Sequence, residues 1–167
     1  MKSLMQKFAI VGLSCISLCM SPNTDQWIQI RKAYRQALNN DNLISAFEAV
    51  SKAHSSSDPL AKAYYATALA LRARASISPP MKLSLANQAQ QQLNTAASLQ
   101  PKNLEIRFLR YSFEYGTPSF LNLKKNMQLD KPLAMQFAKT NSPIKDIAIN
   151  FFKDCDELSD SEKTALR

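Results

Sequence analysis

Residues 89–116 read AQQQLNTAASLQPKNLEIRFLRYSFEYG, and their spacing decides the fold. Ala89, Leu93 and Ala96 recur every three or four residues, the period of one helix face, until Pro101 stops the run. Asn103 is a candidate N-cap for a second helix. That helix carries Leu104, Phe108 and Tyr111 on one side and Ile106, Leu109 and Phe113 on another. Apolar residues on more than one face predict a helix packed between neighbours. Gly116 then stands where a left-handed C-terminal residue would close the helix, and Thr117-Pro118 opens the next element.

Helical periodicity continues outward on both sides. Trp27, Ile30, Tyr34, Ala37 and Leu38 mark a first helix, capped by Asn23 or Thr24 and ended by Asn39-Asn40. Asp41 is the expected cap of a second, with Leu43, Ala46, Phe47 and Val50 on its apolar face. The few residues between them imply an antiparallel hairpin. Asp58-Pro59, an acceptor followed by proline, opens a third helix through Leu60, Tyr64, Thr67, Ala68 and Leu71. Ser78-Pro79-Pro80 restarts the pattern at Met81 and Leu85. Past Gly116, Phe120, Leu121 and Met127 carry the pattern on, and Lys131-Pro132 is expected to break it. Ser142-Pro143 opens a helix with Ile144, Ile147, Ala148 and Phe151, and Ser159 with Glu162 makes a capping box. The expected fold is all-α: about eight helices, as antiparallel hairpins stacked in a short α-solenoid or bundle. Residues 22–167 are expected to form a single helical-repeat domain.

Trp27, Ile30 and Tyr34 fall at the W-x₂-L-G-x₂-Y spacing, with Arg31 at the glycine position. Phe47 falls where phenylalanine is expected in the second helix, with Leu43 replacing the usual alanine, and Ala89, Leu93, Ala96 and Pro101 repeat a second-helix pattern. On these residues the chain resembles the tetratricopeptide-like helical repeats over roughly residues 24–116. The resemblance implies a concave groove lined by first helices, in which Lys32 and Arg35 would meet a protein or peptide partner. The segment from Leu99 to Lys131, with its Glu105–Arg110 and Thr117–Leu121 strings, is also similar to a group of small exported bacterial proteins. That likeness implies a shared architecture to the C terminus and no activity.

The segment 1–21, MKSLMQKFAIVGLSCISLCMS, has Lys2 and Lys7 ahead of 13 uncharged residues from Phe8 to Met20. A bilayer-spanning helix needs about 20 apolar residues. This stretch fits the apolar region of a signal peptide, about 7–15 residues. Cys15 and Cys19 stand where a lipoprotein would carry its lipid. The expected location is the periplasm, attachment to the outer membrane, or release beyond it, with membrane contact only through this segment.

The net charge is +8, and +6 without Lys2 and Lys7. It divides into +9 from Pro22 to Lys145 and −3 from Asp146 to Arg167, which sum to +6. No basic run exceeds two residues, so nucleic acid is not an expected partner. Two glycines and one histidine argue against phosphate loops, nucleophile elbows and zinc sites, so no metal or cofactor is expected. Cys155, alone once 1–21 is removed, has acidic neighbours that disfavour its thiolate. Ser55-Ser56-Ser57 after His54 lacks an orienting acid. Glu105 and Glu114, nine residues apart on one helix, lie about 13 Å from each other along it. That leaves no expected catalytic residues.

Arg107 and Arg110, three apart on one helix, are either an anion clamp in the groove or internal partners of Glu105, Glu114 or the acidic C-terminal segment. A small-ligand carrier or enzyme on a closed bundle is the alternative function, with Tyr64, Tyr65, Arg72 and Arg74 as the residues to inspect. Mass spectrometry of the chain from native membrane and soluble fractions tests the export reading. A mature N terminus near residues 18–22, or a lipid on Cys15 or Cys19, is expected; an intact Met1 in the soluble fraction would refute it.

Overall fold

A computed structural model describes residues 24–166. The 1–21 segment, with Cys15 and Cys19, lies outside the described residues, as does Asn23. Eight α-helices follow in order: α1 Thr24–Asn39, α2 Ile44–Lys52, α3 Pro59–Ala75, α4 Pro79–Leu99, α5 Leu104–Gly116, α6 Met127–Phe137, α7 Lys145–Lys153 and α8 Asp160–Thr164. There is no strand among the described residues. The protein is all-α.

Local chemistry sets most boundaries. Asp58 accepts hydrogen bonds from the Leu60 and Ala61 amides at 2.7 and 3.0 Å, with Pro59 in the first turn of α3. Asn103 does the same for Glu105 and Ile106. At α8, Ser159 and Glu162 form the reciprocal capping box. The Ser159 amide and Lys131 hold the Glu162 carboxyl down to about 2.

Three expectations are corrected. Asn40, not Asp41, caps the 3₁₀ turn Asp41–Leu43, and α2 begins one residue later than its apolar pattern suggests. Its buried face is therefore Ile44, Phe47 and Ser51, while Ala46 faces solvent. Pro132 does not break a helix but lies inside α6. It removes one amide donor, yet both Pro132 and Gln128, whose carbonyl loses that donor, are exposed, so water can satisfy the oxygen. Finally, Gly116 is not left-handed. It ends α5 with ordinary helical geometry, Thr117 leaves the helix in an extended conformation, and Asn122 is the residue with positive φ, 54°.

From α1 to α7 each helix packs on the next across short connections, and α3 also packs on α1 and α5. α1, α3 and α5 thus lie side by side, and Phe151 and Phe152 of α7 meet Phe108 of α5. Tyr34, Phe47 and Tyr64 meet with ring centroids 5.5–6.2 Å apart at the α1–α2–α3 joint. Phe108, Phe137 and Phe152 do so at the α5–α6–α7 joint, where the Phe108–Phe137 rings stack at 5.3 Å. The alanines of α3, five of them fully enclosed or nearly so, let neighbouring backbones approach closely.

An added Cβ at Gly116 meets nothing within 4 Å. Gly116→Ala is therefore expected to raise stability by about 0.5–1 kcal/mol through the lower backbone entropy of the unfolded chain, as read by urea denaturation. A loss of similar size would show that this position needs a left-handed backbone.

Candidate functional site

The charged residues buried between helices organise the joints. Glu105, in the first turn of α5, is 8% exposed and receives three hydrogen bonds. Arg31 of α1 approaches it in parallel, Nε to Oε1 at 3.0 Å and Nη2 to Oε2 at 2.8 Å. Tyr64 of α3 donates its hydroxyl to Oε1 at 2.5 Å. Burial first, and then the Glu105 carboxylate, push the Tyr34 and Tyr64 hydroxyls up, so both remain protonated and Tyr64 remains a donor. Arg31 also lies over the Trp27 ring, 5.5 Å from its centroid.

Arg107 and Arg110 occupy a second buried network. Asp130 of α6 is fully enclosed and accepts from Arg107 Nη1 at 2.8 Å and from Arg110 Nε and Nη2 at 2.6 and 2.9 Å. Arg107 also donates twice to the Pro101 carbonyl, and Arg110 donates to Asn94 of α4. Glu114 is enclosed as well, accepting from the Asn126 amide and side chain at 2.7 Å each. Two cations and two carboxylates make this region electrically neutral. No buried side-chain nitrogen or oxygen among the described residues lacks a partner.

These arginines are therefore internal, and Arg35 is engaged too. It reaches across to the start of α7, with Nη2 2.8 Å from Asp146 Oδ1 and 2.9 Å from the Pro143 carbonyl. The Arg35 guanidinium lowers the Asp146 carboxyl. Lys32 is exposed on α1 and makes no ion pair among the described residues. Arg72 pairs with Glu48, Lys52 lies over the Tyr65 ring, and Tyr64 belongs to the core. The sequence-derived candidates are thus scattered rather than gathered.

A large concavity lies elsewhere among the described residues. An apolar cup of about 870 Å³ opens at the C-terminal ends of the four odd-numbered helices. Tyr34 and Leu38 come from α1; Thr67, Ala70, Leu71 and Arg74 from α3. Phe108, Ser112 and Gly116 come from α5, and Ile147, Asn150, Phe151 and Asp154 from α7 and its end. Pro79, Lys82 and Leu83 at the start of α4 face Pro118, Phe120 and Leu121 across the mouth. Small residues make the space: Ala70, Ser112 and Gly116 stand where larger side chains would fill it.

The serine and threonine hydroxyls of the cup are turned back to their own helix. Thr67 donates to Ala63, Ser112 to Leu109 and Thr117 to Phe113, each a carbonyl of its own helix, at 2.8–3.0 Å. Arg74 is held by Asp41 at 2.8 Å. The wall is left mostly apolar, with the Tyr34 hydroxyl, Lys82, Asn150 and Asp154 as its polar groups without a side-chain partner among the described residues.

Of the residues singled out from sequence, Arg74 alone among the arginines lines the cup. Phe108, Ile147 and Phe151 are legible in the sequence as apolar helix positions, but Ser112, Gly116, Asn150 and Asp154, which line the cup beside them, carry no such signal. Comparison of the chain with protein-family models, curated proteins and solved structures finds no match.

Asp130→Asn leaves two buried arginines facing a neutral group, and is expected to cost about 3–5 kcal/mol in urea unfolding. Asp146→Asn, at an exposed pair, is expected to stay within about 1 kcal/mol of the wild type. Equal losses at the two sites would show that the buried network is not what joins α5 to α6.

Proposed function

We propose that the protein is an exported, non-catalytic helical-repeat interaction module whose cup takes the apolar side chains of a partner peptide. The observation that carries this reading is the origin of the cup's walls: α1, α3, α5 and α7, the first helix of each successive pair, all line one concavity, closed on one side by the start of α4 and the 118–121 turn. This is the arrangement implied by the tetratricopeptide-like spacing of Trp27, Ile30, Tyr34 and Phe47. The contact of α3 with both α1 and α5 supports stacking of pairs. Arg31, where the repeat expects glycine, takes on the distinct task of binding Glu105.

The non-catalytic part of the reading rests on the hydroxyls of Thr67, Ser112 and Thr117, which are bound to their own helix carbonyls rather than to a base. A wall without convergent donors selects by shape and apolar contact, as in helix-in-groove recognition. Export rests on Lys2, Lys7 and the uncharged stretch from Phe8 to Met20, and puts the protein in the periplasm or at the outer membrane. A second reading, carriage of an apolar small molecule, is favoured by the cup's volume, which falls among ligand pockets of about 300–1,000 Å³.

Gly116→Phe directs an aromatic ring into open space in the cup without touching the core. Fluorescence anisotropy with a labelled amphipathic peptide, leucines at helical i, i+3, i+4 and i+7 spacing, is expected to show saturable binding to the wild type, weakened about tenfold or more by Gly116→Phe. Equal binding by both proteins would overturn the reading. Binding of palmitate, with none of the peptide, would establish the carrier instead.

A further inference from the structure

We propose that the rim segments 77–83 and 118–125, whose residues Pro79, Lys82, Leu83, Pro118, Phe120 and Leu121 line the mouth of the cup, dock the protein on an anionic lipid bilayer. The inference rests on this rim alone and holds whatever the cup binds.

Seven large apolar side chains among the described residues are exposed, and four of them belong to these two short segments. Ile77 is 98% exposed, Phe120 85%, Met81 49% and Leu83 45%. Leu83 and Phe120 line the same mouth, together with Pro79 and Pro118. Their presentation is fixed by the backbone. Phe120 sits at the centre of the 3₁₀ turn Ser119–Leu121, preceded by Pro118 and ended by left-handed Asn122. The Gln90 side chain donates to the Leu123 carbonyl at 2.5 Å and anchors this loop on α4. Ile77 lies in the connection between α3 and α4, directly before the Ser78-Pro79-Pro80 helix start. Ile77 and Phe120, almost wholly exposed, have the shape of side chains inserted into a soft phase.

The charges around them select its sign. No acidic residue occurs between Asp58 and Glu105, and none between Glu114 and Asp130. Both rim segments fall inside these acid-free stretches. Lys82 and Lys125 are exposed and make no ion pair among the described residues, while Lys124 reaches the Tyr115 carbonyl at 3.1 Å. Apolar tips beside unpaired ammonium groups match the layered chemistry of a bilayer surface. The tips enter the boundary of headgroups and acyl chains, and the lysines remain at the phosphates. No described helix is long and apolar enough to cross a membrane, so the contact is interfacial.

The full chain is tested by sedimentation with vesicles of phosphatidylcholine mixed with phosphatidylglycerol, and of phosphatidylcholine alone. Residues 1–23 are common to every variant, so differences report on the rim. The wild type is expected to sediment with the anionic vesicles, and less so as salt is raised. Ile77→Ser with Phe120→Ser is expected to weaken this about tenfold or more. Lys82→Gln with Lys125→Gln should weaken it about fivefold or more on anionic vesicles. In Phe120→Trp, brominated acyl chains are expected to quench a component absent from the wild type, whose one tryptophan, Trp27, lies in the first turn of α1. Sedimentation that survives the double serine change, with the introduced indole of Phe120→Trp left unquenched, would overturn the proposal. So would a dimer in analytical ultracentrifugation that Phe120→Ser dissociates, since the rim would then be covered by a second copy.

Discussion

One buried carboxylate fixes the positions of three helices. Glu105 belongs to α5, is bound through two parallel hydrogen bonds by Arg31 of α1, and receives the hydroxyl of Tyr64 from α3. Removing a carboxylate from water is costly unless its oxygens find donors, and these donors come from two other helices. Their donors can reach it in one mutual register of α1, α3 and α5. Apolar packing alone is tolerant of small rotations and slides, whereas a forked guanidinium facing a carboxylate is not. The position of Glu105 in the first turn of its helix adds a favourable interaction with the helix dipole. Three of the walls of the cup are continuations of these same helices.

The Asp130 network plays the corresponding part between α5 and α6. Here two arginines converge on one carboxylate, and a second carboxylate, Glu114, is balanced by Asn126 hydrogen bonds. The arrangement balances two arginines with two carboxylates and leaves no buried side-chain nitrogen or oxygen without a partner among the described residues. It also accounts for the unusual content of α5, a helix enclosed on most sides despite two arginines and two glutamates. Such a helix cannot be held by hydrophobic contact only. Its charges are what make it specific to one set of neighbours.

Polar satisfaction inside the molecule also shapes its functional surface. Because Arg31, Arg35, Arg107 and Arg110 are committed to carboxylates, the basic character of the chain reaches solvent mainly through lysines, Lys82 and Lys125 at the rim among them. Because the serine and threonine hydroxyls of the cup return to their own helices, its wall behaves as hydrocarbon. An apolar recess with an apolar, lysine-flanked mouth is the result.

At most helix starts, where the decision is local, the sequence by itself determined it. Asp58-Pro59, Asn103 and the Ser159–Glu162 box start helices because acceptor and amide lie within three residues of each other, and the 3.6-residue apolar period made the all-α class legible. Gly116 and Pro132 depart from their usual roles, which assume a free helix end and an unbroken ladder, because here α5 leaves its last turn through Thr117 and α6 keeps its proline on the wet side. Tertiary structure alone decided where the charges went. Arg31 and Glu105 are 74 residues apart, Arg107 and Asp130 are 23 apart, and Arg35 and Asp146 are 111 apart. The cup belongs to the same category. Its walls are single faces of four helices distant in sequence, and a hollow among side chains has no sequence signature of its own until those helices are brought together.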